Sequence, residues 1–276
     1  MNSALTHEIK EYALSHGAEL VGVLSPEKID SFPEYWIGWQ VQDASKKTTD
    51  YMPDAKSIIV LGYHAFDDIH EAQIAHNGKI EYPVYERMRL YTRRTMRQLE
   101  EKGYKCILYP FNLSQKKMAQ LAGLGAIGKN SLLINPTYGP WIRLQSILTD
   151  APLEPDQPYT EDLCKECTRC IDACPTTAIS PFSVDATRCV SYLTIEHRGA
   201  ITPALHAGLG DWVFGCDVCQ EVCPHNQPTR RSRRSAGDPA LAARRDGFSL
   251  LELLSWTEED RRAAFVTSAM KRAKLP

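Results

Sequence analysis

The sequence predicts an α+β chain in three parts. These are a mixed α/β region over residues 1–155, a small cysteine-rich unit over 156–228, and a basic linker with C-terminal helices over 229–276. Three observations carry this reading. Strand-like apolar runs and helical spacings alternate through the first half. Eight of the nine cysteines fall between Cys164 and Cys223. A proline- and acid-rich stretch, APLEPDQPYTED at 151–162, lies between them as a linker or domain edge.

Composition sets the outer bounds. The 276 residues are 43% hydrophobic and 24% charged, ordinary globular values that allow a real core without covalent staples. No stretch approaches the roughly 18–20 apolar residues of a membrane span. Met1–Lys10 carries Glu8 and Lys10 and no apolar signal core, so a cytoplasmic protein without a membrane partner is expected. A net charge of −2 leaves any nucleic-acid contact to a local patch.

The elements follow in order. A helix is expected from about Leu5 to Ser15, stopped by Gly17. Leu20–Leu24 is a short apolar strand. Ser57–Tyr63 (SIIVLGY) is β-branched and continuous, the pattern of a strand buried on both faces. Val84, Met88, Tyr91, Thr95 and Leu99 recur at helical spacing before Gly103. Lys105–Tyr109 and Ile142–Leu148 read as further strands, and Lys116–Leu121 as helix. Near the C-terminus, SLLELL (249–254) and residues 257–271 form a helical pair, with Trp256 and the leucines expected to pack back onto the body.

The cysteines carry the clearest chemistry. Cys164, Cys167, Cys170 and Cys174 follow C-x2-C-x2-C-x3-C with Pro175 next, the spacing of bacterial two-cluster ferredoxins. Cys216, Cys219 and Cys223, followed by Pro224, form a second set, and Cys189 can complete it. Eight thiolates suffice for two [4Fe–4S] clusters. The pseudo-symmetry of that fold crosses the sets: Cys164, Cys167, Cys170 and Cys223 for one cluster, Cys174, Cys189, Cys216 and Cys219 for the other. Two zinc sites are the alternative, since four thiolates also suit zinc, although zinc ribbons do not need the C-x3-C-P ending. Cys106, in an apolar run, is expected to be a buried structural thiol.

Residues 122–130 read AGLGAIGKN. Gly123 to Gly128 satisfies G-x-G-x-x-G in letters, with Asp150 further on, but a dinucleotide site needs a strand before it and a helix after it. The other reading is a tight turn between helix and strand.

Taken together these segments resemble the epoxyqueuosine reductase family. The resemblance rests on AGLGAIGKN (122–130), SLLINPTYGPW (131–141), LTDAPLEPDQP (148–158), CPTTAI (174–179), DATRCVSYLTIEHRGAI (185–201) and FGCDVCQEVCPHN (214–226), with weaker similarity at 50–66. It implies a cobalamin-binding α/β domain coupled to a two-cluster ferredoxin domain. It also implies reduction of epoxyqueuosine to queuosine in tRNA, with electrons from an external low-potential donor passing through the clusters to cobalamin held between the domains. By motif match Gly123, Gly125, Lys129 and Asn130 would line the corrin, and Tyr192 and Glu196 would sit near the junction.

Three departures accompany the resemblance. The family has an acid about a dozen residues before the glycines, proposed as the proton donor to the opening epoxide. Here that stretch, Tyr109 to Ser114, holds no Asp or Glu, which leaves Tyr109 as the candidate donor. The family's R-Y-A-x-G-x-D-Y-H segment is replaced by KIEYPVYERMRLYT at 79–92. The tRNA-gripping helical repeats of longer members are not expected before Pro276. Arg230, Arg231, Arg233, Arg234, Arg244 and Arg245 could meet tRNA phosphates or form a solvated basic linker. The same architecture acting on another substrate is one alternative function. A non-catalytic two-cluster electron carrier or corrinoid reducer is the other.

Overall fold

The strand Ser57–His64 has all eight residues buried, and Ile58, Ile59, Val60 and Leu61 are fully so. A β-branched run of this length cannot leave one face to water, so it must be covered on both sides. The computed structural model describes residues 1–37, 43–64, 74–76, 79–81, 83–108, 112–226 and 249–265. These divide into two units. The first takes described residues within 1–65, 87–128 and 132–163, and the second those within 66–86, 129–131 and 164–276.

In the first unit, helix α1 (Ser3–Ser15) precedes strand β1 (Leu20–Leu24). Then come β2 (Ser57–His64), α2 (Pro83–Glu100), β3 (Cys106–Leu108), α3 (Gln115–Leu121) and β4 (Ile142–Thr149). The strands form one antiparallel sheet in the order β1-β2-β4-β3. Alternate side chains of β2 serve different layers. Ile58 and Val60 join Leu24, Met118, Ala119, Ala122, Leu124 and Leu148 in a core around α3. Tyr63, on the opposite parity, hydrogen-bonds Thr92 of α2 at 3.0 Å. Along α2, Met88, Thr92, Thr95 and Leu99 are buried at helical spacing. Burial of side chains such as Ile58 and Leu61 stabilises by about 1.5–3 kcal/mol each.

The expected helix stop at Gly17 has a specific form. Gly17 N–H donates to Leu14 C=O and Ala18 N–H to Ala13 C=O, a Schellman turn with Gly17 at φ +106°. Gly103 ends α2 with the same pair of bonds, from Gly103 to Glu100 and from Tyr104 to Leu99.

The stretch 151–162 is no free linker. Ser57 Oγ donates to Ala151 C=O at 2.7 Å and accepts from Leu153 N–H at 3.0 Å. Asn2 N–H donates to Pro152 C=O, and Glu154 N–H to Thr6 Oγ1, both at 2.7 Å. Asp156 N–H donates to Val23 C=O at 2.8 Å, while its carboxylate accepts from Val23 N–H at 2.7 Å and from the Lys10 ammonium at 2.5 Å. Val23 lies on β1, the edge of the sheet, so this strap occupies edge groups that would otherwise be open to another strand. Its prolines suit a segment that pairs only here and there.

The second unit is built of short pieces: α4 (Arg169–Asp172), α5 (Val190–Ile195), α6 (Val218–Glu221), and a hairpin of Ile179–Ser180 with Ser183–Val184. Its core includes Val190, Leu193 and Leu209, with Ile201, Leu205 and Cys216 against them. The expected C-terminal pair is observed as α7 (Leu250–Leu254) and α8 (Glu258–Phe265). The packing expectation is corrected there for Leu251 and Leu254, which are 80% and 82% exposed, while Leu253 and Trp256 are half-buried. Ser249 caps α7 through Glu252 N–H, and Glu258 pairs with Arg261 and Arg262 on α8, so local contacts hold these short helices. Among the described residues no helix is long and apolar enough to cross a membrane.

Cys106 behaves as a structural thiol on β3. Its Sγ lies 3.5 Å from Thr149 Oγ1, and burial, against that hydrogen bond, pushes the thiol up to about 11. Two outcomes are expected from this architecture. Iodoacetamide at pH 8 should leave Cys106 largely unmodified by mass spectrometry, with alkylation rising only as pH nears 11, because the thiolate is the reactive form. Asp156→Ala should speed hydrogen exchange at the Val23 amide by about tenfold to hundredfold, the loss of a charged acceptor worth about 1.5–3 kcal/mol. Asp156→Asn, which keeps an acceptor, should lose less.

Candidate metal centre

Eight thiols of the second unit are brought near one another, and none forms a disulfide. Two short chain segments do this in parallel. Arg169-Cys-Ile-Asp-Ala-Cys-Pro175 and Val218-Cys-Gln-Glu-Val-Cys-Pro224 each form a one-turn helix that ends in a cysteine and a proline. The helices α4 and α6 pack against each other. Proline terminates each turn because its nitrogen carries no proton for a further helical bond.

The electrostatics sort the thiols into two quartets. Cys170 is raised by burial first, then by Cys164 and Cys167. Cys223 is raised by burial first, and by Cys164, Cys170 and Cys167. Cys216 is raised by burial first, and by Cys189 and Cys174. Cys219 is pushed up to about 12, by burial first and then by Cys216, Cys189 and Cys170. The influence of Cys170 on Cys219 brings the two quartets within reach of each other. Cys189 caps α5 just before Val190, and Cys216 packs on the small core that α5 contributes to. Among the described residues no three His, Cys, Asp or Glu side chains are arranged to hold a single metal ion.

Sulfur-directed donors are present in both quartets. Ala178 N–H donates to Cys174 Sγ at 3.2 Å, and Lys129 N–H donates to Cys164 Sγ at 3.4 Å. The donor set therefore fits iron–sulfur clusters: half-buried thiols close together, with N–H groups aimed at sulfurs that would carry negative charge. Two non-glycine residues beside these cysteines adopt left-handed backbone, Lys165 at φ +44° and Thr177 at φ +51°. Such strain persists where surrounding contacts impose it. Arg188 supplies one such contact, donating to Thr176 C=O and Thr177 Oγ1.

The 122–130 stretch divides. Gly123 closes a Schellman turn on α3, with Gly123 N–H to Gln120 C=O and Leu124 N–H to Ala119 C=O. At Gly125 an added Cβ would lie 2.2 Å from Ile134 C=O. The motif thus follows a helix and runs into the two-residue strand Ala126–Ile127, the reverse of the dinucleotide context. The missing side chains make room for the protein's own backbone. Lys129 and Asn130 instead belong to the cysteine-rich unit. Lys129 Nζ donates to Lys165 C=O at 2.6 Å, and buried Asn130 donates through Nδ2 to Cys219 C=O at 3.2 Å. Sequence reading missed these contacts, since 35 residues separate Lys129 from Cys164. The one available signal was a Lys-Asn pair after a glycine turn. Tyr192 lies on α5 with 37% of its surface exposed, and its carbonyl accepts from Glu196 N–H at 2.8 Å. Tyr109 and the arginines between 230 and 245 lie outside the described residues.

Residues 163–226 match the family model of a 4Fe-4S double cluster binding domain, which decides between iron–sulfur and zinc. A relative from Synechococcus sp. (strain RCC307), an epoxyqueuosine reductase, is 35% identical and is matched over 98% of this chain and 90% of its own length. The crystal structure of a selenomethionine-labelled epoxyqueuosine reductase superposes with a TM-score of 0.74 at 26% identity, covering 98% of this chain and 78% of that one. An epoxyqueuosine reductase solved with an epoxyqueuosine-modified tRNA-Tyr stem loop has the same fold, with a TM-score of 0.72 at 23% identity over 96% of this chain and 76% of that chain. The chain belongs to the epoxyqueuosine reductase family and is an oxidoreductase.

Proposed function

We propose that this chain reduces epoxyqueuosine to queuosine in tRNA, using two [4Fe–4S] clusters and cobalamin. The observation that carries this is kinship over 98% of the chain to a reductase of which it covers 90%. The gathering of eight thiols into two quartets supports it independently. Cys164, Cys167, Cys170 and Cys223 hold one cluster, and Cys174, Cys189, Cys216 and Cys219 hold the other. When bound, the clusters would supply single electrons and cobalamin would supply a low-potential metal for reductive chemistry.

The chain's own residues then have distinct tasks. Lys129, Asn130, Tyr192 and Glu196 of the cysteine-rich unit would border the corrin. Within that set, the exposed surface of Tyr192 supports a ligand contact most directly. Opening an epoxide leaves an alkoxide that needs a proton. The Tyr109 phenol delivers it, a weaker acid than a carboxyl, with an ordinary pKa near 10. Arg230, Arg231, Arg233, Arg234, Arg244 and Arg245 contact tRNA phosphates, and an external low-potential donor supplies the electrons. The reaction takes place in the cytoplasm.

Two experiments test this reading. Cys170→Ser and Cys219→Ser should each remove one cluster, halving iron from about eight per chain, while Cys106→Ser keeps it all; full iron in both cluster variants would overturn the ligand sets. Anaerobic reconstitution with cobalamin, followed by gel filtration, should leave near one cobalt per chain. That material should convert epoxyqueuosine in a tRNA stem loop, and Tyr109→Phe should slow the conversion without loosening cobalamin. Bound cobalt without conversion would point to another substrate. Loaded clusters with no retained cobalt would point to an electron carrier.

A further inference from the structure

Both quartets receive local backbone N–H···S hydrogen bonds, among them Ile171 to Cys170, His225 to Cys223 and Val218 to Cys216, and Cys164 also receives one from far off in the chain. Cys174 takes its donor from Ala178, four residues on in the same turn. Cys164 takes its donor from Lys129, 35 residues upstream. Lys129 also binds through a second arm: its ammonium holds the carbonyl of Lys165, the left-handed residue directly after Cys164. Its own carbonyl accepts from Phe182 N–H at 3.1 Å, which ties it to the hairpin beyond Cys174. The neighbouring Asn130 side chain holds Cys219 C=O. One dipeptide thus touches both cysteine motifs.

We infer that Lys129 is a positioning residue that sets the reduction potential of the cluster held by Cys164, Cys167, Cys170 and Cys223. Reduction adds a negative charge to a cluster. An N–H dipole on a ligand sulfur and an ammonium one residue away both favour the more negative form, so both raise its potential. Lys129 bonds Cys164 itself and the residue directly after it, so the larger effect falls on that cluster. The inference rests on the ligand sets proposed above and assigns a role to Lys129 that needs no corrin.

The test is a redox titration followed by electron paramagnetic resonance, on cluster-loaded full-length chain before any cobalamin is added. The Cys219→Ser variant identifies the signal of the Cys164 cluster, which is the one it retains. Lys129→Gln keeps the N–H and drops the charge, Lys129→Arg restores the charge, and Lys129→Pro removes the N–H as well. The Cys164 cluster should titrate at lower potential in Lys129→Gln, return toward the starting value in Lys129→Arg and fall furthest in Lys129→Pro, while the second cluster shifts less in each variant. If proline prevents cluster loading, the Gln and Arg pair decides. An unmoved potential in Lys129→Gln, or an equal shift of both clusters, would overturn the role of Lys129. Loss of both signals in Cys219→Ser would overturn the ligand sets instead.

Discussion

The second unit depends on one constraint: eight sulfurs must sit close together and partly shielded from water. Burial and mutual repulsion both resist ionisation, as the upward shifts of Cys170, Cys216, Cys219 and Cys223 record. Metal ligation reverses that balance, because thiolates are the ligands and the protons leave on binding. The one-turn helices α4 and α6 are too short to be stable alone. Its described apolar cluster around Val190, Leu193 and Leu209 is small. Cluster binding is therefore also folding energy for this part of the chain.

The first unit stands on different physics. Its central strand is buried on both faces, and its helices end in glycine turns that let the chain reverse within two residues. The strap from Ala151 onward completes it by hydrogen bonds as well as by the buried Ala151 and Leu153. Ser57, Thr6, Val23 and Gln120 each receive one of its groups. A segment dense in proline and acid can therefore be an integral edge of a domain when several of its backbone donors find partners.

Chain order and spatial grouping part company at Lys129–Ser131. These residues follow a turn whose glycines serve the first unit, yet their bonds go to the cysteine motifs. Hydrogen bonds to ligand sulfurs are among the means by which a protein sets cluster potential. A dipeptide placed this way can adjust chemistry without being a ligand.

Much of this was legible in sequence. Leu20–Leu24 and the helix of 115–121 follow from apolar runs and spacing, because side-chain period is a local property. The double-cluster domain over 163–226 follows from cysteine spacings that suit a cubane and a C-P ending. Tertiary structure decided what locality cannot hold. It made 151–162, which reads as linker or domain edge, the edge of the first unit, bonded through Tyr159, because partners as far away as Asn2 and Thr6 lie outside any window. It left Leu251 and Leu254 exposed, because a periodic pattern states which residues share a face but not what covers it. It brought Lys129 to Cys164, because a backbone N–H has no residue signature at all. Sequence determined which elements form and which ligands exist; the fold alone decided which distant backbone groups meet them.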